Sequence, residues 1–128
     1  MVLMIDDDND TLEIYRLLIE KTTYYDRFVT INDPYQALEW LKEQASDPEL
    51  FPQYILLDLN MPELNGVEFL QAFEKEVNYS QLNTKIIVLT SSVRERERRE
   101  ALEYASVSEF ISKPLSKEKL IEFLSAGT

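Results

Sequence analysis

Ile55-Leu56-Leu57-Asp58-Leu59-Asn60-Met61-Pro62, continuing to Gly66, is the stretch from which the rest of the chain can be read. Apolar residues from Tyr54 to Leu57 form a short strand-like run that stops at a carboxylate, and a Met-Pro turn and a glycine follow. Four more short apolar runs lie on either side of it, near Val2–Ile5, Arg27–Ile31, Lys85–Leu89 and Glu109–Ser112. Longer amphipathic stretches separate them. Five such alternations are the signature of a parallel sheet covered by helices on both faces, so the expected architecture is a doubly wound α/β domain.

The stretches between the runs carry helix start signals. Asp10 with Glu13 has the spacing of a capping box, and Ile14, Leu17 and Leu18 make an apolar stripe behind it. Asp33 before Pro34 supplies a cap and a first-turn proline for a helix bearing Ala37, Leu38 and Leu41. Val67, Leu70, Phe73 and Val77 form a third stripe. Ser92 with Glu95 opens a fourth helix, and Ser116 a fifth that turns Leu120, Ile121 and Leu124 inward. The segment Ala45–Gln53, with Pro48 and Pro52, reads as the longest irregular loop.

Composition narrows the chemistry. The 128 residues suit one domain, expected to span 1–128, and 45% hydrophobic with 29% charged residues suits a globular fold. The apolar start, Met1 to Ile5, lacks a basic flank and runs into aspartates, so it reads as a strand and a cytoplasmic address is expected. The chain has neither cysteine nor histidine, so a site must be built from carboxylates, hydroxyls, amides and amines. Two glycines leave no phosphate-cradling loop, which argues against direct use of ATP. A net charge of −11 opposes nucleic acid and anionic membrane and favours protein partners.

Ligands of open parallel sheets bind beyond the carboxyl ends of the strands, where the winding reverses. Asp6, Asp7 and Asp8 follow the first strand, Asp58 the third, Thr90 to Ser92 the fourth and Lys113 the fifth. One aspartate after a strand is more often a cap than a catalyst. Independent caps, however, give no reason for three carboxylates, a hydroxyl and an ammonium to share one sheet edge. Carboxylates held close stay ionised together only around a cation, and oxygen-only ligands select a hard one, Mg²⁺ or Mn²⁺, which also takes phosphate oxygens. An aspartate can then attack phosphorus to give an acyl phosphate, with Lys113 and Thr90 of the right type to hold equatorial oxygens.

At this point the sequence resembles the receiver domains of two-component response regulators, especially single-domain, chemotaxis-regulator-like ones. Ile55 to Pro62, continuing to Gly66, is similar to the family's phosphoacceptor segment, Val2 to Asp8 to its first strand and acidic cluster, Ile86 to Ser92 to its strand ending in Thr or Ser, and Phe110 to Pro114 to its aromatic and Lys-Pro element. The match spans nearly the whole chain in order. It implies a flavodoxin-like (βα)5 fold with strand order 2-1-3-4-5, and Asp58 as phosphoacceptor. It also implies Asp7 as a direct metal ligand, Asp6 as a less direct one, Asn60 lending its backbone carbonyl, and Asp8 as a cap or turn residue. Lys113 is implied to pair with Asp58 at rest, before a cis bond to Pro114, while Thr90 and Phe110 act as the switch pair. Ser106 and Val107 stand where the family often has a small Gly-Ala turn.

The resemblance further implies a two-state switch driven by phosphorylation from a partner phosphohistidine, on a sensor histidine kinase or a histidine phosphotransfer protein, since this chain has no histidine. The fourth helix shows few apolar residues beyond Val93, Ala101 and Tyr104, so the face of fourth helix, fifth strand and fifth helix is the expected surface for a downstream protein target. Output through protein contact, with no direct nucleic acid or membrane, is expected because no further module follows the last helix. Other readings remain beside this one. The run Asp6 to Thr11 faintly resembles the motif of haloacid-dehalogenase-type phosphatases, though its spacing is off and no cap domain fits. A calcium loop of the EF-hand type fails at Thr11 and Leu17. A pseudo-receiver that binds partners without phosphorylation is the remaining alternative.

Overall fold

The computed structural model describes residues 1–62, 64–91 and 95–126. Five parallel strands lie in the order β2-β1-β3-β4-β5, formed by β1 Val2–Ile5, β2 Phe28–Ile31, β3 Tyr54–Asp58, β4 Lys85–Thr90 and β5 Val107–Ser112. Helices α1 Asn9–Ile19, α2 Pro34–Gln44, α3 Gly66–Glu76, α4 Glu95–Leu102 and α5 Lys117–Ser125 alternate with them. The sequence anticipates this order. The fifth strand begins two residues earlier than Glu109, at Val107, and Arg27 belongs to a short 3-10 turn before β2.

Alternation along the strands divides the core into two layers. Leu3, Ile5, Ile55, Leu57, Ile86 and Val88 point toward α2, α3 and Ala101 of α4. Val2, Met4, Leu56, Ile87 and Leu89 point to the other side, toward α1 and α5. Central strands buried on both faces explain why the runs are continuously apolar instead of alternating with polar residues.

Two helix starts, those of α2 and α5, match their sequence signals, and α3 has a cap that the sequence reading did not name. The Asp33 side chain accepts from the N–H of Tyr35, Ser116 accepts from Lys119, and Asn65 forms a reciprocal capping box with Glu68. Gly66, at the first position of α3, is required for space: a Cβ there would lie 2.6 Å from Leu59 Cδ1 and 2.7 Å from Leu59 Cα.

Helix α1 departs from expectation. Its cap is Asp8 and not Asp10, since Asp8 accepts from the N–H of Asp10 at 3.0 Å and the Thr11 hydroxyl at 2.9 Å. Leu12, Tyr15 and Ile19 are the buried residues, while the expected stripe faces outward, with Ile14 57% and Leu17 58% exposed. Both sets have helical spacing, so periodicity alone could not choose between them. The Tyr15 hydroxyl decides for one, because it finds buried partners on the far side of the sequence. Ile121 and Val67, also expected inside, are half-buried, whereas Leu70, Phe73, Val77, Leu120 and Leu124 are buried as read. Ser92, expected to cap α4, and Val93 lie outside the described residues. The loop Ala45–Gln53 is not idle: Phe51 is buried, and Gln53 donates its N–H to Met1 O and accepts from Lys85 N, which ties the loop to the ends of β1 and β4.

Candidate functional site at the carboxyl ends of the strands

Pairing in register brings the ends of β1, β3, β4 and β5 to one edge. Asp58, the last residue of β3, pairs with Leu89, so Thr90 is one step beyond it on β4. Leu59 N–H then bonds Leu89 O at 3.1 Å, and Lys113 N–H bonds Thr90 O at 2.8 Å. The backbone itself thus carries Asp58, Thr90 and Lys113 to the same place.

Side chains converge there. Carboxylate oxygens of Asp6, Asp7 and Asp58 all lie within 4.8 Å of one another. Asp6 and Asp58 are only 3% and 5% exposed, while Asp7 is open to solvent. Lys113 Nζ donates to Asp6 Oδ2 at 3.0 Å and stands 3.4 Å from Asp58 Oδ1. The pairing with Asp58 that the resemblance implied is present, and a closer bond to Asp6 adds to it. The Lys113-Pro114 bond is cis, as expected.

Asn60 frames Asp58 from the other side. Its backbone N–H donates to Asp58 Oδ1 at 3.1 Å, and its side-chain amide donates to the Thr90 hydroxyl at 3.3 Å. Thr90 is buried and Ser91, after it, is exposed. Phe110 is half-buried against the α2–α3 layer, and the Arg98 guanidinium lies 5.5 Å from its ring centroid. Asp8 is spent on structure, with each oxygen taken by the start of α1.

The charges are balanced unevenly. Burial pushes the Asp58 carboxyl above its ordinary range, and the Asn60 N–H and Lys113 only partly oppose this. Burial alone would depress Lys113, but its bond to Asp6 and the charge of Asp58 outweigh that and raise it. Three carboxylates thus face one ammonium. A second cation suits the place: three oxygen ligands from two strand ends, one side open to water, match a hard divalent ion that keeps waters of its own.

Two contacts escaped sequence reading, one beside the site and one at the opposite edge of the sheet. Tyr15 donates its hydroxyl to Leu115 O at 3.0 Å and accepts from Leu115 N–H at 2.9 Å, across 100 residues of sequence. Glu74 of α3 accepts from both the N–H and the hydroxyl of buried Ser106, at 2.8 and 2.5 Å. The unusual serine before β5 is therefore an anchor point. Neither contact has a local sequence signal, since each joins residues distant along the chain.

A family model described as response regulator receiver domain matches residues 2–125. Among curated proteins, the chain is 26% identical over 121 residues to a probable methanogenesis regulatory protein of Methanothrix harundinacea, covering 94% of this chain and 76% of that one. It is 31% identical over 115 residues to a protein-glutamate methylesterase/protein-glutamine glutaminase of Saccharophagus degradans, covering 88% of this chain but 30% of that one. A crystal structure of a two-component response regulator from Cytophaga hutchinsonii superposes with a TM-score of 0.79 at 26% identity, covering 95% of this chain and 91% of that chain. Among the described residues, no helix is long and apolar enough to cross a membrane.

Proposed function

Since the chain belongs to the response regulator receiver-domain family, we propose that residues 1–128 form one receiver that takes a phosphoryl group on Asp58 and uses the resulting charge to change a protein-binding face. The observation that carries this reading is the convergence of Asp6, Asp7 and Asp58 on one spot, with Lys113 bonded to the buried pair. Asp6, Asp7, Asp58 and the backbone carbonyl of Asn60 are the groups to hold Mg²⁺ or Mn²⁺. When bound, the ion supplies positive charge that offsets the carboxylates and the incoming phosphoryl oxygens.

The chain's own residues do the rest. An Asp58 oxygen attacks phosphorus, an O–P bond forms, and the bond from phosphorus to the donor's imidazole nitrogen breaks with its electron pair leaving on that nitrogen. Lys113 shifts from the carboxylates to the new phosphoryl oxygens, and the Thr90 hydroxyl, adjoining through Asn60, binds another. Thr90 moves toward the phosphoryl group, and Phe110 moves inward into the space so vacated. That motion breaks the stacking of Arg98 on Phe110 and so reaches α4. Helix α4 buries only Ala101 among its described residues, so it repositions at low cost. The face of α4, β5 and α5 is the surface for a downstream protein, and the protein is a signalling module rather than an enzyme with an outside substrate.

The donor is a phosphohistidine on a sensor histidine kinase or a histidine phosphotransfer protein. An apolar groove of about 340 Å³ runs from Ile14 and Leu18 of α1 to Pro114 and Leu115, with Lys113 at its rim. A donor seated on that groove stands beside the phosphoacceptor site. The test is incubation with acetyl phosphate, with and without Mg²⁺, followed by intact-mass measurement. A gain of one phosphoryl unit that needs Mg²⁺ and vanishes in Asp58→Asn is the expected result. No gain, or one that survives Asp58→Asn, overturns the proposal.

A further inference from the structure

We propose that Tyr15 is a positioning residue for the phosphoryl-transfer chemistry: its buried hydroxyl, closed on both backbone groups of Leu115, sets the place of Lys113 two residues earlier. The inference rests on the reading of Lys113 given above and names the device that aims it.

Lys113 follows the last strand and is not itself part of a regular element. Beyond its N–H bond to Thr90 O, the backbone enters a turn that must lead to Ser116, the cap of α5. A long, flexible side chain on an unsupported turn makes a poor electrostatic anchor, because a displacement of about an ångström costs much of the rate. The fixing contact comes from α1. Tyr15 is 7% exposed, its phenol oxygen accepts Leu115 N–H at 2.9 Å and its proton goes to Leu115 O at 3.0 Å. One hydroxyl thus satisfies the donor and the acceptor of a buried residue, a two-point clamp that fixes both the position and the orientation of that residue's backbone. Leu115 itself is 3% exposed and joins the α1–α5 layer, so solvent cannot replace either bond without opening that layer.

The hydroxyl also lies within the field of the site. Burial raises the Tyr15 phenol, and Lys113 and Asp6 both act on it through space. The phenol therefore stays a neutral donor and acceptor across the working range. It needs no change of charge to act. The burial of Tyr15 in place of Ile14 is consistent with this role: a helix with apolar residues on several sides turned inward the one carrying a hydroxyl.

The experiment uses the full chain and four proteins: wild type, Tyr15→Phe, Lys113→Ala and the double variant. Acetyl phosphate labelling with Mg²⁺ is followed by intact mass, and Mg²⁺ affinity and thermal melting are measured in parallel. Tyr15→Phe is expected to label about 3 to 10 times more slowly than wild type, a change of about 0.7 to 1.4 kcal/mol in barrier height. In the Lys113→Ala background the same change is expected to alter the rate by less than about twofold, because the group being aimed is absent. Mg²⁺ affinity is expected not to weaken, since Asp6 and Asp7 directly follow β1 and Asp58 ends β3, away from the Leu115 turn. Equal slowing in both backgrounds, weakened Mg²⁺ binding, or a wild-type rate in Tyr15→Phe overturns the inference. If Tyr15→Phe does not fold, 4-aminophenylalanine installed at position 15, which keeps the ring and a donor and acceptor, takes its place in the cycle. A rate near wild type that remains Lys113-dependent is then expected, and a rate no better than that of Lys113→Ala overturns the inference. Failure of the wild type itself to label would instead defeat the proposed function, so the two failures are distinct.

Discussion

Replacing Asp58 with Asn removes the proposed nucleophile and is expected to make the metal-free fold more stable. The geometry sets the size of the effect. At an effective dielectric of about 20, two carboxylates at the outer limit of 4.8 Å repel by about 3.5 kcal/mol. Asp58 meets two such neighbours, but exposed Asp7 is screened to about half that value. Attraction to Lys113 at 3.4 Å is about 5 kcal/mol on the same scale, so the Coulomb terms nearly cancel. What remains is the cost of holding a 5% exposed carboxylate out of water, the leading cause of its raised pKa. An amide of the same shape avoids most of that cost, for a net gain of about 1 to 3 kcal/mol, or about 4 to 10 °C in melting temperature.

The pH dependence has a definite sign. A carboxyl raised in the folded state favours folding while protonated, and that contribution is lost as pH rises from the ordinary value of 3.8 through the folded value. The gain from Asp58→Asn is therefore full above the folded value and shrinks as pH falls through it toward 4. The assay is thermal unfolding in EDTA at several pH values, repeated in Mg²⁺. Metal at 100 times its dissociation constant stabilises a folded protein by about 2.7 kcal/mol, and the wild type, with three carboxylates against two, gains more of it. The difference between the two proteins should thus narrow or reverse in Mg²⁺. A lower melting temperature for Asp58→Asn in EDTA at pH 7, or an identical difference with and without the ion, refutes the reasoning.

Three further outcomes follow from particular contacts. Gly66→Ala places a methyl within 2.7 Å of the Leu59 Cα, which cannot retreat without moving Asp58; urea unfolding should show a loss of about 1 to 3 kcal/mol, with slower acetyl phosphate labelling. Glu74→Ala leaves the buried Ser106 N–H and hydroxyl without their shared acceptor and should cost about 1 to 3 kcal/mol, and adding Ser106→Ala should cost less than the two single losses together. Ile14→Gln, on the outer face of α1, should change stability by no more than about 0.5 kcal/mol while slowing transfer from a phosphohistidine protein at least three times more than labelling by acetyl phosphate.

The strand ends were the legible part of this sequence. Apolar runs bounded by Asp6, Asp58, Thr90 and Lys113 announce a parallel sheet and its polar edge together, because in such a sheet the two are one feature. Caps at Asp33 and Ser116 were equally plain, being local. The inward face of α1 was not. Leu12, Ile14, Leu17, Leu18 and Ile19 surround that helix, so the hydrophobic pattern admits two rotations and only a tertiary bond to Leu115 selects one. The pairing of Lys113 with Asp6 was hidden for a related reason: three consecutive aspartates differ in which way they point, and that depends on the turn after β1. Asp8 N–H bonds Asp6 Oδ1 at 2.9 Å, which fixes that turn.

The split interior has a consequence for how such a protein diversifies. Tyr15, Leu115 and the α1 groove belong to one layer, whereas Phe110 packs with the other, and the sheet stands between them. In the proposed reading, whatever writes on Asp58 is met at α1 on the first side, whereas the face that reports the result joins α4 and β5 to α5, a member of that same first layer. Substitutions on α4 and around Phe110 can then retune the reader while the α1 groove keeps its contacts, and changes on α5 reach both dialogues.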